Sequence, residues 1–411
     1  MFWDVFPDRL KYTVIKPQHK NGYRCKVSNY RPVSLLTSFS KISEKVKQTR
    51  ILKHLTKYNI LRTEQYGFRI GLKTDNAICK LTTEILNAMN NKLLVGGIFC
   101  DLEKVFDCID QDNTFVLWQV SISHRSIDLV WINRTHNKWM NEKDKLLSQL
   151  KFYGIISKYL ALYHYYLDNR HFRTAIYDSD NSNKVSSWAK VRHGVPHGSV
   201  LGPLLLLLLD TNDLTKIINR TSAPIIFADD TSILFAHSNL KDFNKNIHII
   251  FATLNKWFRA NQLSLNFNKT NYVHFTTKKN MSVKFKIGLN NNLITNSSYT
   301  KFLGVTMDNT LSWNNHIDLL MKKLSVALYI IRNGTTYMSA LSSKMIYRAF
   351  FHSAMSYGII FWGNLLHSSQ FLTCKKRQLE LRKDVGIEFH VEIYLRNYKF
   401  CLWHHNIIYL Y

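Results

Sequence analysis

Phe227-Ala228-Asp229-Asp230 places two adjacent carboxylates between two apolar runs, Ile225-Ile226 and Ile233-Leu234-Phe235. The pattern reads as the tip of a β-hairpin. Like charges on a tight turn repel and gain nothing structurally. A divalent cation is the usual reason to put them there, since hard cations such as Mg²⁺ take oxygen ligands. Asp-Asp is also an ordinary turn sequence, so the pair alone leaves both readings open. A third carboxylate, Asp101, ends the apolar run 93–100 (LLVGGIFC). If that run and the hairpin are neighbours in one sheet, three carboxylates converge. That is what a two-metal site needs, with ions ~3.5–4 Å apart clamping an in-line phosphoryl displacement.

The elements that must position these acids are legible in outline. Residues 8–20 form an extended lead-in, 38–57 a basic amphipathic helix, and 73–90 a second helix with Thr74-Asp75 near its start. After the 93–100 strand and the segment Gly194-Val195-Pro196-His197-Gly198-Ser199, a helix is predicted over 200–214. The hairpin occupies 224–236, and a helix carrying Trp257 and Phe258 occupies 240–261. Residues 271–276, 283–288 and 301–306 are predicted strands. Residues 314–363 are predicted to be mainly helical. No internal repeat or low-complexity linker interrupts this order, and the tail has weak periodicity.

Composition narrows the partner class. With 46% hydrophobic residues in a chain of 411, the sequence can build real cores. Its 55 Lys+Arg against 28 Asp+Glu leave a net charge of +27, the footprint of a polyanion partner. Part of that charge simply keeps a surface soluble, but solubility does not explain the imbalance. Residues 1–80 hold 17 basic and 5 acidic residues, and 321–411 hold 12 and 4, so the acids concentrate between two basic flanks. That order suits a nucleic-acid cleft with a metal site at its centre. The 21 Tyr, 24 Phe and 9 Trp could stack on bases. The cysteines at 25, 79, 100, 108, 374 and 401 include no CxxC pair, which speaks against zinc, and they fit a reduced compartment. The start shows no secretory pattern, and the longest apolar run, Leu204–Leu209, is too short to span a bilayer, so no membrane partner is expected.

Eight motifs in order then carry a resemblance: FPDRLKYTVIKPQHK (6–20), NYRPVSLL (29–36), EQYGFR (64–69), FCDLEKVFD (99–107), GVPHGSVLGPLL (194–205), FADD (227–230), LNKWFRANQLSLNFNKT (254–270) and KFLGV (301–305). Over roughly residues 5–365 the chain resembles the reverse transcriptase of non-LTR (LINE-type, jockey-like) retrotransposons. The resemblance implies an α+β right-hand polymerase fold: fingers in 1–92, a palm with an antiparallel sheet in 93–306, a helical thumb in 307–365, and a divergent tail in 366–411. It implies RNA-directed DNA polymerisation, in which a primer 3′-OH attacks the α-phosphate of a dNTP. Two Mg²⁺ ions (Mn²⁺ is an alternative) would activate the hydroxyl and steady the departing pyrophosphate. An RNA template, a DNA primer and dNTPs are the implied partners, acting in the nucleus or cytoplasm.

By the same resemblance, Asp101 and Asp229 are metal ligands and Asp230 completes the cluster. The backbone at Leu102 and Glu103 faces the triphosphate. Phe106 is a steric gate against a ribose 2′-OH, although a core aromatic is the plain alternative. Arg31 and Arg69 suit phosphate oxygens; surface pairing is the default for either one alone. Gly194 and Gly198 bracket a turn beside the nascent pair, near His197, though helix entry alone would also place glycines there. Lys269 could protonate the pyrophosphate, or be an ordinary exposed lysine. Phe302, Leu303 and Gly304, after Lys301, form the primer grip.

Three departures from the family pattern stand out. Roughly 32 residues, about 111–142, intervene where the family runs on directly. His197 replaces a glutamine, and Val105 replaces a small alanine beside the nucleotide pocket. Neither an upstream endonuclease nor a downstream cysteine-rich knuckle is expected within this chain. A decayed copy that only binds nucleic acid is therefore the alternative to a working polymerase. A host-recruited binding or structural protein has no positive support.

Overall fold

The computed structural model describes residues 6–363 except 21, 27–28, 104–118, 124–125, 131–145, 178–182, 192–195, 197, 207–211, 219–221, 262, 278–284, 290–291 and 335. Gly194, His197, Val105 and Phe106 lie outside the described residues, as does the tail beyond 363.

The lead-in becomes a 3₁₀ turn, Asp8–Lys11, and strand β1 (Tyr12–His19), which pairs antiparallel with β2 (Tyr30–Leu35). Helix α1 (Ser38–Lys57) starts at Thr37, whose hydroxyl accepts from Ser40 N. After α2 (Thr74–Asn90) come β3 (Leu94–Cys100) and the short β4 (Leu102–Glu103). Within 111–142, β5 (Gln119–Ser123) and β6 (Ser126–Val130) pair as an antiparallel ribbon. Helices α3 (146–152) and α4 (Ser157–Leu167) lead to β7 (His171–Tyr177), β8 (Asn183–Val185) and β9 (Ala189–Lys190). The predicted 200–214 helix is instead two short helices among the described residues, α5 (Gly202–Leu206) and α6 (Leu214–Ile218), with Asn212 and Asp213 in a turn before the second. The Asn212 side chain bonds to Arg62 N and Ile60 O there, partners that a continuing helix would not reach.

The hairpin β10 (Ala223–Phe227) and β11 (Asp230–His237) precedes α7 (Leu240–Ala260), β12 (Ser264–Leu265) and β13 (Asn271–Phe275). Short pieces β14 (Gly288–Leu289), β15 (Asn292–Leu293) and β16 (Thr295–Asn296) follow. The predicted 301–306 strand is a two-residue hairpin, β17 (Tyr299–Phe302) and β18 (Val305–Asp308). Leu303 and Gly304 both take positive φ, +44° and +89°, so the chain reverses there. The rest is helical: α8 (Asn314–Gly334), α9 (Ala340–Ile346), a π-helical stretch Tyr347–His352, α10 (Ser353–Ser356) and α11 (Ile359–Trp362).

The main sheet runs β10-β11-β3-β13-β16, with β3 central and antiparallel to both neighbours. Period-two alternation splits its side chains between two cores. Phe99, Ile225, Leu234, Val273 and Phe275 pack with α2 and with the β17–β18 hairpin and helices that follow. Ile98, Ile226, Ile233, Phe235 and Tyr272 pack with α6 and α7. Gly96 serves this second face, because a Cβ there would sit 2.7 Å from the Phe235 ring and 2.9 Å from that of Phe243. A third core joins α1, α3, α4 and α5 around Phe6, Leu55, Leu150 and Tyr166. The first sheet, β2-β1-β7-β8, takes its last two strands from 171–185, so the N-terminal strands close with a segment far along the chain.

Candidate active site

The β3–β11 ladder decides where the three acids meet. Cys100 pairs with Thr231, so the next residue out on β3, Asp101, lies across from Asp230. Phe227 pairs with Asp230 and closes a two-residue turn, Ala228-Asp229. Asp101 and Asp229 are half-buried, while Asp230 keeps an exposed edge. The Asp230 carboxyl is pushed up to about 6, first by the protein that displaces water on its inner side, then by the negative charges of Asp229 and Asp101. The two neighbouring acids thus make Asp230 harder to ionise.

A second segment laces onto Asp101. Asn266 N donates to Asp101 O at 2.9 Å, Asp101 N donates to the buried Thr270 hydroxyl at 3.3 Å, and Leu265 pairs with Leu102. This brings Lys269 Nζ to 3.6 Å from Asp101 Oδ2. Both side chains are substantially exposed, and such a pair contributes at most ~1 kcal/mol. Fold stability therefore gives little reason to hold Lys269 there.

The turn itself is gripped from outside. Tyr66 N donates to Ile226 O at 2.8 Å, and Ile226 N donates to Glu64 O at 3.0 Å, so Gln65 runs as a parallel bridge along β10. The Gln65 side chain is 1% exposed, and its Oε1 accepts from both Gly67 N (2.8 Å) and Ala228 N (3.1 Å). Gly67 lies so close that a Cβ would fall 2.3 Å from Ala228 N. Sequence reasoning misses Gln65 and Gly67 as site residues. The available signal is a polar glutamine and a glycine inside the EQYGFR motif, without anything to say that they touch a turn some 160 positions away.

The other residues lie around this centre. Arg69 follows the docked segment and donates from Nη1 to Arg62 O at 2.8 Å. Arg31 is exposed on β2, opposite Gln18. Gly198 takes φ +104° in a turn closed by Ser199 N donating to Pro196 O, and a Cβ there would approach Ser34 O of β2 to 3.2 Å. That turn is fastened to α1 by the fully buried Glu44, which accepts from Val200 N at 2.7 Å and from the Tyr166 hydroxyl at 3.0 Å. Phe302 packs edge-on to Phe99, two residues before Asp101, with ring centroids 6.1 Å apart. Leu303 O accepts from the Tyr357 hydroxyl, which ties the hairpin turn to the C-terminal helices. The structure thus brings Lys269 to the carboxylates and seats the Phe302–Gly304 hairpin beneath β3. It places Arg31, Arg69 and Gly198 on flanking elements.

A model of the family described as reverse transcriptase (RNA-dependent DNA polymerase) matches residues 17–307. The chain belongs to this family. Among its relatives, the probable RNA-directed DNA polymerase from transposon BS of Drosophila melanogaster is 26% identical over 87% of the chain. That from transposon X-element of the same species is 25% identical over 87%. The RNA-directed DNA polymerase from mobile element jockey, also of that species, is 25% identical over 76%. They mark the chain as a jockey-like, non-LTR type of reverse transcriptase. The chain spans about a third of these relatives, 36% of the BS protein and 30% of the jockey protein. Among solved structures, apo telomerase of Candida tropicalis, truncated from the C-terminal domain, aligns over 74% of the chain and 54% of its own at 12% identity and a TM-score of 0.43. Telomerase of Candida albicans with a fragment of telomeric RNA aligns over 91% and 60% at 10% and 0.39. Likenesses this distant add nothing to the family assignment. The α+β right-hand polymerase fold is that of the family. Its members generally depend on divalent cations. Among the described residues no three His, Cys, Asp or Glu side chains are close enough to cage an ion, and no helix is long and apolar enough to cross a membrane.

The donor chemistry nevertheless fits a hard cation. All three groups are carboxylates, set on adjacent strands and mutually repelling, and a divalent ion is what relieves such repulsion. Lys269 supplies a single positive charge on one side only.

Proposed function

We propose that this chain is the RNA-directed DNA polymerase part of a non-LTR retrotransposon, extending a DNA primer on an RNA template with dNTPs. The observation that carries the reading is the β3–β11 register, which sets Asp101 against the Asp229-Asp230 turn, in a chain of the reverse transcriptase family. Asp101, Asp229 and Asp230 would hold two divalent cations, Mg²⁺ or Mn²⁺. When bound, these would activate the primer 3′-OH and neutralise the pyrophosphate.

The protein's own groups do the rest. Lys269, beside Asp101, keeps that carboxylate oriented and has a proton to offer the leaving pyrophosphate. Arg69 and Arg31 supply guanidinium forks for phosphate oxygens, and the backbone at Leu102 and Gly198 borders the nucleotide. Phe302, Leu303 and Gly304 hold the primer end, from a hairpin packed under the strand that carries Asp101. In this reading β1, β2 and α1 belong to the fingers, the β3-centred sheet is the palm, and α8–α11 are the thumb. Phe106 and His197 keep the gate and nascent-pair roles that the family motif implies. The site of action is nuclear or cytoplasmic.

The test is primer extension on poly(rA)/oligo(dT) with Mg²⁺, comparing this chain, Asp229→Asn, and a form lacking 111–142. Extension by the intact chain, lost in Asp229→Asn while template affinity stays the same, supports the polymerase. Extension only after removal of 111–142 makes that stretch the lesion. No extension by any folded form leaves nucleic-acid binding as the function.

A further inference from the structure

We infer that Gln65 is a positioning residue for the catalytic carboxylates: its buried amide oxygen clamps the Ala228-Asp229 turn, with Gly67 making the close approach possible. This deepens the polymerase reading and rests on it.

Ala228 adopts φ +59°. At the first central position of a two-residue hairpin turn that conformation belongs to glycine, and a side chain there costs ~1–3 kcal/mol unless its surroundings over-determine it. Gln65 supplies that determination. One oxygen accepts from Ala228 N and from Gly67 N, and the backbone bonds of Tyr66 N to Ile226 O and Glu64 O from Ile226 N flank it. Turn and strap are thereby locked two residues from Asp230 and one from Asp229. A hairpin tip with a strained residue and two repelling acids would otherwise sample several geometries, and the ligand oxygens would wander with it. Gly67 matters for a different reason. A methyl group 2.3 Å from Ala228 N would push the strap off the turn.

The strap also has a far end. Arg69 lies four residues beyond Gln65, its guanidinium tied back to Arg62 O. A triphosphate held by Arg69 would therefore be referenced through a short, hydrogen-bonded segment to the same turn that carries Asp229. Positioning errors of about 1 Å can cost ~100-fold in rate, so a clamp of this kind is worth more to catalysis than its hydrogen bonds are to folding.

Amide hydrogen exchange on the wild-type chain comes first. The Ala228 amide should be protected well beyond its exposed neighbours, and exchange as fast as in an open turn would overturn the clamp. Gln65→Met keeps the size and loses the acceptor; Gln65→Glu keeps the acceptor oxygens. In folded protein, Gln65→Met should lower kcat by about tenfold or more, weaken Mn²⁺ binding measured by the free-ion EPR signal, and leave template affinity and the KM for primer unchanged. Gln65→Glu should recover part of the Mn²⁺ affinity. Folded Gln65→Met with wild-type kcat and Mn²⁺ affinity sinks the inference while leaving the polymerase standing. If Gln65→Met does not fold, the exchange result on the wild type decides alone. A wild type that neither extends primers nor binds Mn²⁺, with Ala228 still protected, refutes the polymerase reading instead.

Discussion

At the scale of single residues, Asp230 reports on the whole carboxylate cluster. Its carboxyl moves from the ordinary 3.8 to about 6, through burial first and then Asp229 and Asp101. A raised acid pKa favours folding below 3.8, and that contribution is lost as pH rises through about 6. Without divalent ions, Asp230→Asn should therefore melt higher than wild type at pH 7, with the gap closing as pH falls to 4. Thermal unfolding in chelator across that range checks the sign. Mg²⁺ should raise the wild-type melting temperature at pH 7 and do much less for Asp230→Asn. The Asp229-Asp230 pair and Asp101 were legible in the sequence because each follows an apolar run inside a motif that resembles the family's. Gln65 was not, because a glutamine shows its worth only through the backbone it meets.

Among the elements, the β17–β18 hairpin and helix α8 meet through His316. Its Nδ1 accepts from Thr306 N at 3.3 Å, while Nε2 has no hydrogen-bond partner among the described residues in its buried setting. Burial, then the nearby Lys323 charge, pull the imidazole down to about 4. A depressed base is neutral when folded, so its contribution is full above 6.5 and drains away as pH falls toward 4. The melting temperature of wild type relative to His316→Gln should therefore fall between pH 6.5 and 4, in thermal unfolding of both proteins across that window. The sequence marked 301–306 as a single strand. It could not show that Leu303 and Gly304 both take positive φ, in a turn whose Leu303 carbonyl is met by the Tyr357 hydroxyl from 54 positions away.

For the whole molecule, the proposed polymerase would draw its affinity for template mainly from phosphate contacts, given a net charge of +27 and two basic flanks. Binding to an RNA–DNA hybrid should fall steeply between 50 and 200 mM salt. Six or more phosphate contacts would give a loss of ~10³-fold or greater. A Kd nearly flat over that range, measured by fluorescence anisotropy, would refute an electrostatic grip. Asp229→Asn should leave this slope intact, since removing one acid from the centre does not remove contacts at the flanks. Tertiary pairing also mixes distant segments, because β1 closes its sheet with β7. Variants that loosen β7 should therefore disturb the N-terminal strands as well.

Local pattern was enough, by itself, to determine the lopsided basic charge, the helices at 38–57 and 240–261, the Asp-Asp hairpin and the order of motifs that identifies the family. Each of these is written in residue type and short-range period, which need no knowledge of what lies opposite. Only the tertiary structure decided that Cys100 meets Thr231, that Lys269 reaches Asp101, that Glu44 fastens the Gly198 turn and that Gln65 grips Ala228. These are contacts between segments about 130 to 170 positions apart. A sequence records the two partners of such a contact but not their distance, which is set when the sheet picks its register and the cores close around it.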